Sequence, residues 1–145
     1  MYKHILIATD GSELAGRAVA AGLALAKTLK ARVTAVTVTE PWSTMVIGGE
    51  PALSFPIDDY EKAAAENATR ILAGVARAAK DAGVGCETVR AIDFPAEGII
   101  ATAKDKGCDL IVMSSHGRRG LSKLILGSQA TRVLALSTVP VLICR

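Results

Sequence analysis

The sequence predicts an α/β fold: a single doubly wound, five-stranded parallel sheet with helices on both faces. Short apolar runs rich in Val and Ile alternate along the chain with longer stretches of helical period. Strands alternating with helices imply parallel pairing through right-handed crossovers. Aromatic residues make up only 3% of the chain, so the core is built from Ala, Val, Leu and Ile, which suits close packing of helix on sheet.

Residues 3–9 read as the first strand, closed by Asp10-Gly11-Ser12. Ser12 is placed to cap the next helix, with Glu13 favourable in its first turn. That helix runs to about Leu29, since Leu14, Ala18, Ala21, Leu25 and Leu29 repeat at helical spacing. Residues 32–39, rich in Val and Thr, form the second strand. Over 40–57 no period survives: Pro41, Gly48, Gly49 and Pro51 interrupt the chain and Pro56 follows. A loop of this length is usually functional or mobile; its Trp42 and Met45 are expected to pack against the body. Asp58 or Asp59 then caps a long amphipathic helix reaching about Ala82, with Ala64, Ala68, Ile71, Leu72, Val75 and Ala79 on one face. Gly83 and Gly85 end it. Residues 86–91 are the third strand. Pro95 suits a first helical turn, and 96–106 supply a short helix ended by Gly107. Residues 110–114 form the fourth strand. The last helix spans 128–137 with Ala130, Val133 and Leu134 inward, and 139–144 make the fifth strand, where Pro140 marks an edge.

A chain of 145 residues suits one domain, residues 1–145, able to bury a substantial core. Hydrophobic residues at 50% and charged ones at 21% predict a soluble globular protein. The net charge of +3 permits a phosphorylated small molecule but falls short of a nucleic-acid footprint, and few aromatics are present to stack bases. No apolar run approaches the roughly 20 residues that span a bilayer, and the first strand is too short for a signal-peptide core. Cys86, Cys108 and Cys144 are odd in number and widely spaced, so they read as small core residues kept reduced. These features predict a cytoplasmic setting, with no nucleic acid or membrane partner.

The chemistry concentrates at two strand ends. Strand one ends in Ala8-Thr9-Asp10-Gly11-Ser12, and strand four in Ser114-Ser115-His116-Gly117, followed by a basic stretch to Gly127-Ser128. Ligands of open parallel sheets bind beyond the carboxyl ends of the strands, where strand order reverses. If these strands are neighbours, one crevice receives a carboxylate from one loop and a turn of small residues from the other. Asp10 could accept hydrogen bonds from a ribose or help hold a metal ion. Gly117 and Gly127 would let backbone approach a phosphate, and Ser128 could offer its hydroxyl and a helix N-terminal N–H. Taken alone, Asp10-Gly11-Ser12 also fits a plain turn and helix cap. Gly120 could simply shape its loop, while Arg118, Arg119 and Lys123 are either solvated or phosphate contacts. His116 is a tempting acid or base, yet no partner for it is evident in sequence. His4, opening the first strand, reads as structural.

At these residues the chain resembles the universal stress protein family. The resemblance rests on residues 5–12, on Asp109 through Gly120, on Gly127-Ser128 and on residues 139–143, and so covers essentially the whole chain. It implies a Rossmann-like fold of the adenine nucleotide alpha hydrolase-like type. ATP-binding members carry Gly-x2-Gly-x9-Gly-(Ser/Thr). Here Gly117, nine residues and Gly127-Ser128 match that motif, whereas Ser114 stands at its first glycine. Carried across by this resemblance, Asp10 meets the ribose and Ala8, Thr9, Val38 and Met113 frame the adenine. Gly117, Gly127, Ser128 and Gln129 hold the phosphates, with Ser114 and His116 in the same site. The resemblance also implies a homodimer paired through the last strand, from Val139 to Cys144, and an apolar edge strand invites such pairing.

The expected function is therefore a universal stress protein that binds adenine nucleotide, ATP with or without Mg²⁺, and acts as a dimeric stress-response regulator or sensor. AMP and cyclic nucleotide stay open as the natural ligand. Two alternatives stand beside it. A slow nucleotide hydrolase would need His116 or Asp10 with a bound metal to activate water, and no Gly-x4-Gly-Lys-(Ser/Thr) or Gly-x-Ser-x-Gly motif is present. A nucleotide-free dimeric scaffold is kept in view by Ser114. No catalytic residue and no metal ligand set is assigned.

Overall fold

The computed structural model describes residues 1–42, 46–47, 50–51, 56–117 and 126–145. In chain order its elements are β1 (His4–Ala8), α1 (Glu13–Leu29), β2 (Arg32–Thr39), β3 (Val46–Ile47), β4 (Glu50–Pro51), α2 (Ile57–Ala82), β5 (Cys86–Ile92), α3 (Pro95–Lys106), β6 (Leu110–Ser114), α4 (Ser128–Leu136) and β7 (Val141–Cys144). The main sheet is parallel, in the order β5-β2-β1-β6-β7. The chain builds outward through β1, β2 and β5, then returns to lay β6 against the other side of β1. The order thus reverses between β1 and β6, and the pairs Ile5↔Leu110, Leu6↔Ile111 and Ile7↔Val112 bring their carboxyl ends level.

β1 and β6 are buried along their whole length, which is why they read as unbroken apolar runs rather than alternating ones. Alternate side chains serve two cores. On one face Ile5, Ile7, Val33 and Val112 pack with Leu23 of α1 and Leu72 of α2. On the other, Leu6, Val36 and Ile111 pack with Ile99 of α3 and Val133 of α4. Each fully buried branched side chain contributes about 1.5–3 kcal/mol of apolar transfer.

Several expectations change in detail. Ser12 caps α1 as anticipated, its Oγ accepting from the Ala15 N–H at 3.2 Å. The buried stripe of α1, however, is Ala15, Ala18, Val19, Gly22, Leu23 and Ala26, and Ala21 is exposed. Gly22 sets that phase: a Cβ there would stand 2.6 Å from Ile7 Cδ1, so the helix approaches β1 along its glycine. Neither Asp58 nor Asp59 caps α2. Pro56 holds the N-cap with no side-chain bond, and the two carboxylates lie in the first turn, where they complement the helix dipole. Residues 40–57 are not wholly irregular, because β3 and β4 pair antiparallel. Met45, Gly48 and Gly49 lie outside the described residues. Trp42 packs on the body as expected, its ring 4.9 Å from that of Tyr60.

β7 starts at Val141 rather than Val139. Ser137 Oγ donates to the Val139 carbonyl and accepts its N–H, at 2.6 and 3.1 Å, and this local turn takes up the start of the expected strand. Leu134 does not face inward: it is 44% exposed, beside exposed Leu136 and Leu142, because α4 contacts the body through Ala130 and Val133. No described helix is long and apolar enough to cross a membrane.

Candidate functional site

The loop leaving β1 is fixed by its own side chains. The Thr9 N–H donates to the Val36 carbonyl at 3.0 Å. Thr9 Oγ1 accepts the Gly11 N–H at 3.1 Å, and Asp10 Oδ1 accepts the Ser12 N–H at 2.9 Å. Such side-chain-to-backbone bonds two residues on stabilise a turn. Gly11 takes a left-handed φ of 79° that a side chain would resist. The result turns the other Asp10 oxygen toward the neighbouring loop: a Cβ built on Gly117 would lie 2.9 Å from Asp10 Oδ2.

The turn leaving β6 is equally constrained. The Ser115 N–H donates to the Cys144 carbonyl, and the Gly127 N–H to the Ser115 carbonyl, both at 2.8 Å. Ser114 Oγ donates to the His116 carbonyl at 2.7 Å, so the residue standing at the first glycine of the motif directs its hydroxyl onto the turn. His116 Nδ1 and Ser115 Oγ are 3.0 Å apart. Gly127 is wedged in place, since a Cβ there would lie 2.7 Å from the Ser115 carbonyl oxygen. It is also the N-cap of α4, which opens beside this turn with no side-chain cap hydrogen bond among the described residues.

A cleft of about 720 Å³ lies above these two loops, within the size range of small-molecule sites. Ala8, Thr9, Asp10, Val38, Met113, Ser114, His116, Gly117, Gly127, Ser128 and Gln129 all line it. Strand adjacency therefore does bring the two distant stretches together. Gln129 also has a structural duty, its Oε1 accepting the Ala96 N–H at the start of α3 at 3.2 Å. Sequence reasoning missed the opposite wall, where Tyr60, Ala64, Asn67 and Ile71 of α2 face Thr37, Thr39 and Glu40 at the end of β2. The signal was the run of small residues at helical spacing in α2, which reads equally well as ordinary core. Arg90 Nε donates to Thr39 Oγ1 at 3.1 Å, and its Nη2 lies 3.8 Å from Glu61. The Tyr60 hydroxyl donates to the Glu40 carbonyl at 2.8 Å. Burial, then the charges of Glu40 and Glu61, raises its pKa.

Other candidates lie apart or outside. Arg118, Arg119, Gly120 and Lys123 fall outside the described residues. His4 sits at the opposite end of β1, its Nε2 2.7 Å from Thr34 Oγ1, which fits a structural role. The three cysteines are free, and burial raises each thiol, Cys108 to about 11. Among the described residues no group of three or more His, Cys, Asp or Glu gathers as a metal site.

Comparison with known proteins places these features in context. A model of the Universal stress protein family matches residues 1–145. Universal stress protein YxiE of Bacillus subtilis (strain 168) is 35% identical over 152 residues, spanning 100% of both chains. Universal stress protein MJ0577 of Methanocaldococcus jannaschii is 30% identical over 156 residues, spanning 100% of this chain and 96% of that protein. Its solved structure matches with a TM-score of 0.81 at 28% identity, over 99% of this chain and 96% of that one. A universal stress protein crystallised in complex with cAMP matches with a TM-score of 0.74 at 26% identity, over 99% and 97% of the two chains.

Proposed function

The chain belongs to the universal stress protein family, and from that premise we propose that its cleft binds an adenine nucleotide, ATP foremost. One observation carries the reading: the Asp10 carboxylate and two glycines whose hydrogens face other atoms at contact distance share one strand-end crevice. The donor set suits a nucleotide. A carboxylate accepts from ribose hydroxyls. Glycine-lined backbone at a helix N-terminus favours phosphate. Ala8, Val38 and Met113 offer an apolar bed for the base, with Thr9 beside it. On this reading Asp10 meets the ribose, while Gly117, Gly127, Ser128 and Gln129 hold the phosphates. Ser114 is compatible, because its hydroxyl is engaged by the His116 carbonyl. The relative crystallised with cAMP supports adenine as the base.

The rest of the proposal concerns use. The protein acts as a dimeric cytoplasmic stress-response regulator, in which nucleotide shifts the population of a form that partners recognise. An edge position for β7 and exposed Leu134, Leu136 and Leu142 support pairing through the last strand. Isothermal titration with ATP, with and without Mg²⁺, tests the binding claim, alongside mass spectrometry of denatured purified protein for co-purified adenine nucleotide. Saturable heat together with thermal stabilisation is expected. No heat and no stabilisation at millimolar ATP sinks the reading.

A further inference from the structure

The end of β2 divides the cleft into two sides, because successive strand residues point to opposite faces of a sheet. Val38 packs with the core under α3 and α4. Val33 and Ala35 pack with Leu72, Val75 and Ala79 of α2, and Thr37 and Thr39 continue that face upward. On the α2 side the cleft is therefore walled by Thr37 and Thr39 and by Ala64, Ala68 and Ile71. None of these residues belongs to the nucleotide contacts assigned above. Thr37 is what marks the place. Buried polar groups almost always find a hydrogen-bond partner, and each exception calls for an explanation. The buried side chains of His4, Thr9, Thr34, Thr102, Ser114 and Ser115 all do so. Thr37 is only 4% exposed, yet its hydroxyl bonds to no described residue. The unmatched side-chain atoms sealed from solvent among the described residues are His4 Nδ1, Arg90 Nη2 and His116 Nε2. Thr37 Oγ1 is not one of them, so it reaches open space, and the open space that Thr37 borders is the cleft. Its neighbour Thr39 differs, its Oγ1 accepting from Arg90 Nε at 3.1 Å.

We propose that the α2 side of the cleft is a separate subsite, which takes a short neutral group bearing a hydroxyl, carried on the 6-amino nitrogen of the bound adenine nucleotide. Thr37 is its hydrogen-bond partner. The proposal rests on the cleft being a nucleotide site and goes beyond it by naming a base-substituted ligand. Direction follows from strand order. With phosphates at Gly127 beside β6, ribose at Asp10 after β1 and base on Val38 of β2, the ligand runs across neighbouring strands from β6 to β2. In an adenine nucleotide the 6-amino group lies at the end of the base opposite the ribose. A substituent there passes the end of β2 and enters the space between Thr37 and α2. The chemistry of the group follows from the walls. Ala64, Ala68 and Ile71 favour a few carbons, and a threonine hydroxyl both donates and accepts. No Lys or Arg lines the cleft among the described residues, while Glu40 does, so a negatively charged group is disfavoured.

The test is calorimetric titration with ATP, N⁶-(2-hydroxyethyl)-ATP and N⁶-propyl-ATP, the last two matched in size. Wild-type protein should bind the hydroxyethyl nucleotide at least as tightly as ATP. It should bind the propyl one about threefold to tenfold more weakly than the hydroxyethyl one, since propyl cuts Thr37 off from water and offers it no partner. Thr37→Val keeps the shape and removes the hydroxyl, so that preference should vanish. Ala64→Leu fills the space, so both substituted nucleotides should lose at least about tenfold relative to ATP on the same variant. Amide spectra of ¹⁵N-labelled wild type need no variant to fold: replacing ATP by the hydroxyethyl nucleotide should move Thr37, Thr39, Ala64 and Ile71. Wild type that binds the hydroxyethyl nucleotide tenfold more weakly than ATP overturns the proposal, because the subsite then has no room. A preference that survives in Thr37→Val, or spectral differences confined to residues 113–117 and 127–129, also overturns it. Wild type that binds none of the three removes the nucleotide reading itself.

Discussion

Replacing Gly127 by Ala is the sharpest perturbation the geometry offers. Gly127 has φ −70° and ψ 160°, ordinary extended values that alanine adopts freely, so backbone strain is not at issue. The conflict is steric. The new Cβ would lie 2.7 Å from the Ser115 carbonyl oxygen and 3.3 Å from His116 Cα. Restoring ordinary contact requires the start of α4 to retreat by about 0.7 Å. The same movement would stretch the 2.8 Å bond from the Gly127 N–H to that carbonyl to about 3.5 Å, outside good hydrogen-bond range. Leaving those buried groups unmatched costs about 1–3 kcal/mol. The reduced freedom of the unfolded chain offsets about 0.4–1 kcal/mol of that. The net expectation is a loss of about 1–2 kcal/mol by urea denaturation, with Tm lower by roughly 2–8 °C. ATP affinity should fall by about tenfold or more, since the retreat moves the helix terminus that faces the cleft. Gly74→Ala is the matched control. Nothing lies within 4 Å of its Cβ position in α2, so it should stabilise by about 0.5–1 kcal/mol and leave binding alone. A Gly127→Ala protein as stable and as tight-binding as the wild type would refute the reasoning.

Gly117→Ala should behave differently, because its Cβ meets the tip of a side chain, Asp10 Oδ2 at 2.9 Å, rather than backbone. The carboxylate must give way, which strains its Oδ1 bond to the Ser12 N–H, so stability should fall by about 1 kcal/mol while ATP affinity drops severalfold; equal affinity by titration would count against a ligand role for Asp10. His4 gives a pH signature. Burial, then the charge of Arg32, lowers its pKa, so the folded state keeps the ring neutral where the unfolded chain already binds a proton. Its contribution is complete above about pH 6.5 and is lost as pH falls from there toward the folded value. Urea midpoints should therefore fall between pH 7 and 5 more steeply in the wild type than in His4→Gln, and parallel slopes would contradict the assignment. Cys108, buried and raised to about 11, should be modified by a thiol reagent at pH 8 more slowly than Cys86 or Cys144 in native protein. Peptide mapping of the labelled sites would show otherwise if its burial is wrong.

The parts of the fold that could be read from sequence are those dictated by local chemistry. β1 and β6 announce themselves because a strand buried on both faces carries apolar residues throughout and ends where Asp10 or Ser114 breaks the run. Gly83 and Gly107 mark helix ends, both adopting left-handed φ. What escaped depends on partners distant in sequence. The phase of α1 is set by Gly22 against Ile7, and a helix of Ala and Leu on nearly every side gives no local hint of it. Ser137 delays β7 through a side-chain turn that composition does not reveal. The site divides in the same way. Asp10, Gly117 and Gly127 stand out as unusual residues at strand ends, whereas Ala64, Asn67 and Ile71 look like any helix face. Only the placement of α2 over the end of β2 makes them a cleft wall.

Amide chemical-shift mapping of ¹⁵N-labelled protein titrated with ATP tests the account most directly. Shifts should saturate and concentrate at residues 8–12, 113–117 and 127–129, which lie far apart in sequence and together at one end of the sheet. Perturbations gathered instead at the opposite edge, around Lys30 and Gly83, or absent throughout at millimolar nucleotide, would contradict it.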